Sequence, residues 1–155
     1  MTTNYGNPAR FVSSWLATVL QTVPGITVQR VGGQVSTTGV SAYAYVVGGG
    51  FPELLETGAP TGLIELRCII AVQGPVAQEG AVPQGHEETE AYAAIYDIIA
   101  AVLAADYEDA RDVGSPYSSR IYGVRAGGHD GVYASGDTSF RVGIEFFVTC
   151  RIVAS

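Results

Sequence analysis

Apolar residues occupy every second position from 140 to 152, near the end of the chain, with mostly polar or small residues between them. A period of two is typical of a β-strand with one buried face and one wetter face. The apolar positions are Phe140, Val142, Ile144, Phe146, Val148, Cys150 and Ile152. At about 3.3 Å per residue this strand would span roughly 50 Å, far more than an ordinary strand. We predict that it either bends, for example at Gly143, or extends past the body of the domain, in a sheet whose second face meets water or another subunit.

The composition is that of one folded domain. The 155 residues are 47% hydrophobic and only 15% charged, which sets the chain apart from disordered proteins and allows a sizeable core. We predict a single domain over residues 1–155, with a short arm at 1–6. The sequence shows no basic-then-apolar signal segment, and its longest apolar run, near residues 98–105, is too short for a bilayer. We therefore expect a soluble protein that is intracellular when it is made.

The charge balance limits the possible partners. A net charge of −7 argues against broad nucleic-acid binding, which needs a basic footprint. An acidic protein can still let DNA slide past it. All 8 basic residues are arginine, which indicates either codon bias or planar, bidentate pairing at subunit contacts.

Two stretches have the three- and four-residue spacing of amphipathic helices. Asn7 and Pro8 suit the N-cap and the first turn of the first helix, and Pro24 would end it. Its apolar stripe consists of Phe11, Val12, Trp15, Leu16, Val19 and Leu20. A second helix begins near Glu87, with an acidic first turn that the helix dipole favours. Its predicted buried face consists of Ala91, Tyr92, Ile95, Ile98, Ile99, Val102 and Leu103.

Four further stretches have strand patterns. Residues 26–35 and 41–47 are predicted to form a β-hairpin, and residues 63–72 and 120–125 alternate in the same way. The order of elements is helix, strands, helix, strands. It predicts an α+β domain with a mostly antiparallel β-sheet, two main helices packed on one face, long loops and a long C-terminal strand.

Two glycine-rich segments, 48–62 and 126–137, are predicted to protrude as loops. Long loops in a compact domain are often functional. The first contains three large apolar residues, so we interpret it as a contact arm, or alternatively as a segment that folds back on its own core. The second, with the arginine before it, suits polar and aromatic contacts at an interface. The candidate subunit-interface residues are Phe51, Leu54, Leu55, Arg125, Tyr133, Arg141 and Arg151.

Catalytic and metal-binding motifs are not found. Cys68 and Cys150 fall on predicted buried strand faces and are expected to be reduced core thiols. His86 and His129 are not at metal-ligand spacing from a cysteine or from each other. His129 stands beside Asp130, but in a glycine turn, where an aspartate caps backbone amides. We therefore predict no enzyme, no metal site and no cofactor.

The third strand and the second helix together resemble a known family. Residues 67–72 followed by ETEAYAAIYDIIAAVL at residues 88–103 resemble the strand-then-helix core of tail terminator and tail-completion proteins of long-tailed bacteriophages. The N-terminal helix and the sequence FRVGIEF at residues 140–146 fit the same plan, so the resemblance covers most of the chain. The chain departs from the family in the segments 48–62 and 126–137.

The resemblance implies a structural virion protein. Members of the family form a hexameric ring that caps the tail tube and joins the tail to the head-side connector, with DNA passing through the lumen. The implied partners are further copies of the chain, the tail tube protein and a head-side connector or stopper protein, with DNA only as passing cargo and no membrane. The implied location is the tail or neck of the virion, and the host cytoplasm during assembly.

Two alternatives remain open at this stage. The same fold is shared by other neck proteins, such as head-tail stoppers and adaptors, and by tail-tube proteins. The other alternative is a small-ligand-binding or enzymatic α+β domain. Its pocket would lie between the final strand and the second helix, near Tyr92 and Tyr96.

Overall fold

A computed structural model describes residues 7–29, 39–52, 56, 62–75, 86–108, 110, 117–130 and 139–154. Its elements are helix α1 (Pro8–Leu20), strands β1 (Ile26–Val28), β2 (Val40–Gly50) and β3 (Leu63–Pro75), helix α2 (His86–Ala104), and strands β4 (Tyr117–His129) and β5 (Ser139–Ala154). The strands form one sheet in the order β1-β2-β3-β5-β4. The predicted α+β class, with a mostly antiparallel sheet and two helices, is confirmed. The expected arm at residues 1–6 lies outside the described residues.

Helix α1 begins where the sequence predicts. The Asn7 side chain accepts a hydrogen bond from the backbone N–H of Arg10 at 3.0 Å, and Pro8 occupies the first turn. After the helix, Gly25 has a φ of 78°, a left-handed conformation that glycine adopts without steric cost. The Asn7–Pro8 signal therefore fixes the start of α1, while its last residue is Leu20 and Gly25 belongs to the turn that follows. Within the described parts of the chain, neither helix has the length and apolar character needed to span a bilayer.

Strand β5 is an interior strand, with β3 on one side and β4 on the other. Its ladder with β3 runs without a register shift from Leu63 opposite Arg151 to Pro75 opposite Ser139. This ladder passes straight through Gly143, so no bulge lies there. Every residue of β5 is paired to at least one neighbour, and the strand therefore stays within the sheet because β3 and β4 are also long.

The predicted hairpin of the first two strands is wrong over the described residues. β1 runs parallel to β2, with Ile26 opposite Val40 and Val28 opposite Ala42. The backbone N–H of Gln29 then donates to the carbonyl of Ala42 at 2.8 Å. A period of two says that a strand is half-buried but not which way its neighbour runs. Residues 30–38 lie outside the described part of the chain.

Both predicted loops begin later than expected. Residues 48–50 belong to β2, opposite Arg67, Leu66 and Glu65, and residues 126–129 belong to β4. Clusters of glycine often indicate a loop. In these strands, however, glycines stand where the hydrogen-bonded ladder is irregular or where side chains from neighbouring strands come close. The parts of the predicted loops at 53–55, 57–61 and 131–138 lie outside the described residues.

The core lies between the two helices and one face of the sheet. The alternation of β5 is confirmed, since even positions 140–150 are buried and odd positions 141–151 are not. On α2, Ile95, Ile98 and Val102 are buried as predicted. Leu103 was predicted to be buried but is 50% exposed, because one further residue rotates it about 100° away from the face that Val102 shares with Ile98.

Cys68 and Cys150 are free thiols on the core face of adjacent strands. Burial raises the pKa of the Cys68 thiol from 9.0 to about 12, and burial together with the proximity of Cys68 raises the pKa of the Cys150 thiol to about 12. A thiol that stays protonated is a poor nucleophile. The prediction of reduced core thiols therefore fits their surroundings.

We expect these thiols to resist an aromatic disulfide reagent at about pH 8 in the native protein and to react in urea. Because the pKa is raised on folding, the thiols do not lower the stability below pH 9. As the pH rises from 9 towards 12, the unfolded thiols ionise first and the free energy of unfolding falls. A Cys68→Ala/Cys150→Ala double variant should show a smaller fall in urea titrations over that range. Rapid labelling of native protein would contradict this prediction.

Candidate assembly surface

The sheet face opposite the helices carries polar and aromatic side chains, and we call it the open face. Even-numbered residues of β3 and β5 fill the core, so the odd-numbered ones lie on the open face. Register places residues of β2 and β4 beside them. The main side chains of the open face are Tyr43, Tyr45, Glu65, Arg67, Ile69, Arg125, Arg141, Glu145 and Phe147.

Two ion pairs link three strands across the open face. Arg67 on β3 binds the Glu145 carboxylate on β5 through its Nε atom. Arg125 on β4 reaches over β5 to Glu65 on β3, with Nη2 and Oε1 separated by 3.4 Å. The Arg125 guanidinium also lies 4.0 Å from the centroid of the Phe147 ring. Pairs this exposed contribute about 0–1 kcal/mol each, so they order the surface more than they stabilise the fold.

A hydrogen-bonded network of polar side chains lies at one end of the open face. Gln73 is fully buried, and its Nε2 donates to Oε1 of Gln29 at 2.8 Å. Its Oε1 accepts from Nη2 of Arg141 at 3.2 Å. The Arg141 guanidinium lies 5.7 Å from the ring centroid of Tyr43, which stacks on Tyr45 at 5.7 Å. These contacts satisfy the buried amide and fix the position of the Arg141 side chain.

A shallow cavity of about 580 Å³ lies on the open face. The small residues Ala71 and Gly143, which stand opposite one another in the β3–β5 ladder, both line it. Its size is within the range of small-molecule sites. The surrounding residues include Tyr43, Tyr45, Arg67, Asp130, Arg141 and Glu145. This cavity lies on the opposite side of the sheet from the pocket that we predicted next to the second helix.

His129 is the last residue of β4 and does not lie in a glycine turn as predicted. Its Nδ1 lies 2.9 Å from the backbone oxygen of Asp130, not from the carboxylate, so Nδ1–H donates. Its Nε2 lies 3.0 Å from the Tyr96 hydroxyl, which must then donate to it. Tyr92 also packs edge-on against the imidazole. The tyrosines expected to line a pocket instead contact this histidine and join α2 to β4.

Both outer edges of the sheet lack strand partners among the described residues. β1 pairs with β2 only as far as Ala42, and no described residue pairs with the rest of β2 on that side. β4 is the last strand on the other side and spans 13 residues. Such edges present rows of unpaired N–H and C=O groups that can accept another strand.

The predicted interface residues that the structure describes lie at two places. Arg125, Arg141 and Arg151 share the open face, because they lie on β4 and β5 at positions that point away from the core. Phe51 follows the end of β2 and is 52% exposed. Leu54, Leu55 and Tyr133 lie outside the described residues.

Several side chains of this surface were not among the predicted interface residues. Arg67 and Glu145 are separated by 78 positions in the sequence, and no local pattern pairs them. The alternation of their strands did place both on the wetter face. Tyr122, which is 66% exposed on β4, gave no sequence signal because the extra residue in its strand is seen only in the register.

Comparisons with known proteins leave the family open. No family model matches the sequence, and no curated protein matches it. In the described part of the chain, no group of three or more His, Cys, Asp or Glu side chains is placed to hold a metal ion.

Proposed function

We propose that this protein is a structural, ring-forming virion protein, a bacteriophage tail terminator. In this proposal a hexameric ring of the chain caps the tail tube and joins the tail to the head-side connector, and DNA passes through the lumen. The observation that carries the proposal is a single sheet with an edge on each side that has no strand partner among the described residues. It is supported by the resemblance of the strand-then-helix core to that family.

These two edges differ from one another, and this favours a ring. An interface between β2 of one copy and β4 of the next is heterologous, and such interfaces generate closed rings when the rotation between copies closes. A long unprotected edge is otherwise an aggregation risk. We infer that the edges are retained because they are covered by neighbouring copies in the assembly.

The open face fits a structural role. Arg67 and Arg125 are already paired with carboxylates of the same chain, so much of its charge is internally matched. The net charge of −7 disfavours tight binding to DNA phosphates, which suits a channel through which DNA must slide.

A small-ligand-binding domain is the second candidate, and the open-face cavity favours it. The guanidinium of Arg141 is held at the cavity by a buried amide and an aromatic ring. A ligand with a carboxylate or phosphate would suit it. If a screen of small anions raises the melting temperature of the protein, and Arg141→Met abolishes the effect, this candidate gains support over the ring.

Native mass spectrometry and negative-stain microscopy over a concentration series test the proposed function. We expect closed six-membered rings, either alone or at the open ends of purified tail tubes. Ring formation at tube ends distinguishes a terminator from a stopper or adaptor, which would bind the head side instead. A protein that stays monomeric at high concentration and ignores tube ends would overturn the proposal.

A further inference from the structure

Strands β2 and β4 each contain a bulge that exposes a large side chain. The register of β2 skips one residue between Val46 and Gly48, and that of β4 skips one between Ile121 and Gly123. The skipped residue on β2 is a valine and that on β4 is a tyrosine, and they are 44% and 66% exposed. Bulges at sheet edges often redirect a side chain towards a functional contact. These exposed side chains are Val47 and Tyr122.

The β4 bulge at Tyr122 lies at the level of the end of β2, whereas Val47 lies further along, at the level of Arg125. Register connects Gly50 on β2 through Glu65 and Thr149 to Gly123 on β4. Phe51 directly follows Gly50 and is 52% exposed. A second copy placed beside the first, with its strands in line, would therefore bring the β4 bulge of one copy to the end of β2 of the other.

Charge distinguishes the two edges. Arg120 on β4 stands directly opposite Arg151 on β5, and both are exposed. Neither has an ion-pair partner among the described residues. Like charges directly opposite on adjacent strands are destabilising, so a single copy gains nothing from this pair.

The end of β2 has the opposite charge. Between residues 40 and 62 the sequence contains two glutamates and no basic residue. One of them, Glu56, is exposed in the structure. β4 itself, from Tyr117 to His129, contains two arginines and no acidic residue. The basic edge of one copy therefore complements the acidic edge of another.

We propose that a second copy of this chain binds at these edges in a head-to-tail manner. Tyr122 and the Arg120–Arg151 pair of one copy meet Phe51 and Glu56 of the next. The inference rests on the proposed ring and assigns its subunit contact. A two-fold contact of β4 against β4 is disfavoured because it would bring the arginine pairs of two copies together.

Charge reversal tests this contact, with sedimentation velocity as the readout. We expect Arg120→Glu to weaken self-association by about tenfold or more relative to the wild-type protein, because residue 120 faces the acidic edge of the neighbouring copy. The same variant should raise the melting temperature of the monomer, since it removes the repulsion from Arg151. Glu56→Arg should weaken association similarly. Arg10→Glu makes the same charge change on α1 and serves as the control, with association unchanged.

Mixing separates this inference from the proposed function. Neither the Arg120→Glu variant nor the Glu56→Arg variant should assemble well alone. A 1:1 mixture should assemble with the two variants alternating. A chain that carries both changes should also assemble. If the wild type forms rings and both variants do as well, the contact is wrong and the ring stands. If the wild type forms only open chains that the variants disrupt and the mixture restores, the contact stands and the ring is wrong. Failure of the mixture and of the doubly changed chain to recover association would overturn the contact.

Discussion

The substitution Phe146→Ala is expected to lower the free energy of unfolding by about 3–5 kcal/mol. Phe146 is fully buried on the interior strand β5, between Cys68 on β3 and Ala126 on β4. Its removal loses the transfer free energy of the ring and leaves a cavity that a five-stranded sheet cannot close without shifting strands. Since single domains are stable by about 5–15 kcal/mol, this change removes a large part of the total.

Phe147→Ala is the matched control for this prediction. The two phenylalanines are adjacent in sequence but lie on opposite faces, since Phe147 is only partly buried and contacts the Arg125 guanidinium. We expect a loss of about 1 kcal/mol, from the cation–π contact and a little apolar area. Urea unfolding, at a protein concentration where the chain is monomeric, measures the free energy of unfolding of both variants. Equal losses would contradict the assignment of the two faces.

The substitution Gly127→Ala is expected to destabilise the protein by about 1–3 kcal/mol, because it overpacks the open face. A Cβ atom at this position would lie 2.8 Å from the Glu145 Cγ and the Phe147 Cε2, and closer still to the Glu145 carboxylate. Either the carboxylate must leave Arg67 or β4 must move away from β5. In both cases the surface that carries the two ion pairs changes shape.

Gly123→Ala is the control, because Gly123 lies on the same strand and a Cβ there meets nothing within 4 Å. It makes the same change in β-propensity without the overlap, so we expect little loss. Thermal unfolding gives the two stabilities, and the NMR signal of the Arg67 Nε–H group reports whether its ion pair survives. If the two alanine variants were equally stable and kept that signal, the close packing at Gly127 would be disproved.

Much of the fold follows from local patterns. The cap of α1 depends on Asn7 and Pro8, which are neighbours in the sequence, and the helix begins there. The alternation in β5 gave the buried face of that strand because successive side chains of any strand point to opposite sides. The same argument placed Cys68 on the core side of β3. These features depend on contacts within a few residues or on one shared apolar face.

Other predictions were wrong because a sequence pattern does not specify the direction in which a neighbouring strand runs or the register of their pairing. The segment 26–28 was expected to run antiparallel to β2 and runs parallel to it. The glycine-rich pattern predicts loops at residues 48–50 and 127–128, but these residues lie in strands β2 and β4. Leu103 was expected in the core, yet the position of α2 against the sheet leaves it half exposed.

The sequence by itself determined which side chains face the core and which face outward, since that requires only a period of two or of 3.6. Only the tertiary structure decided which outward residues meet. Glu65 and Arg125 are 60 positions apart, and β5 must pair between their strands before the two can touch. The bulges at Val47 and Tyr122 also exist only as mismatches between paired strands. Strand order and register result from packing distant segments on one common core, and this is why the candidate assembly surface appears in the folded chain and not in any stretch of its sequence.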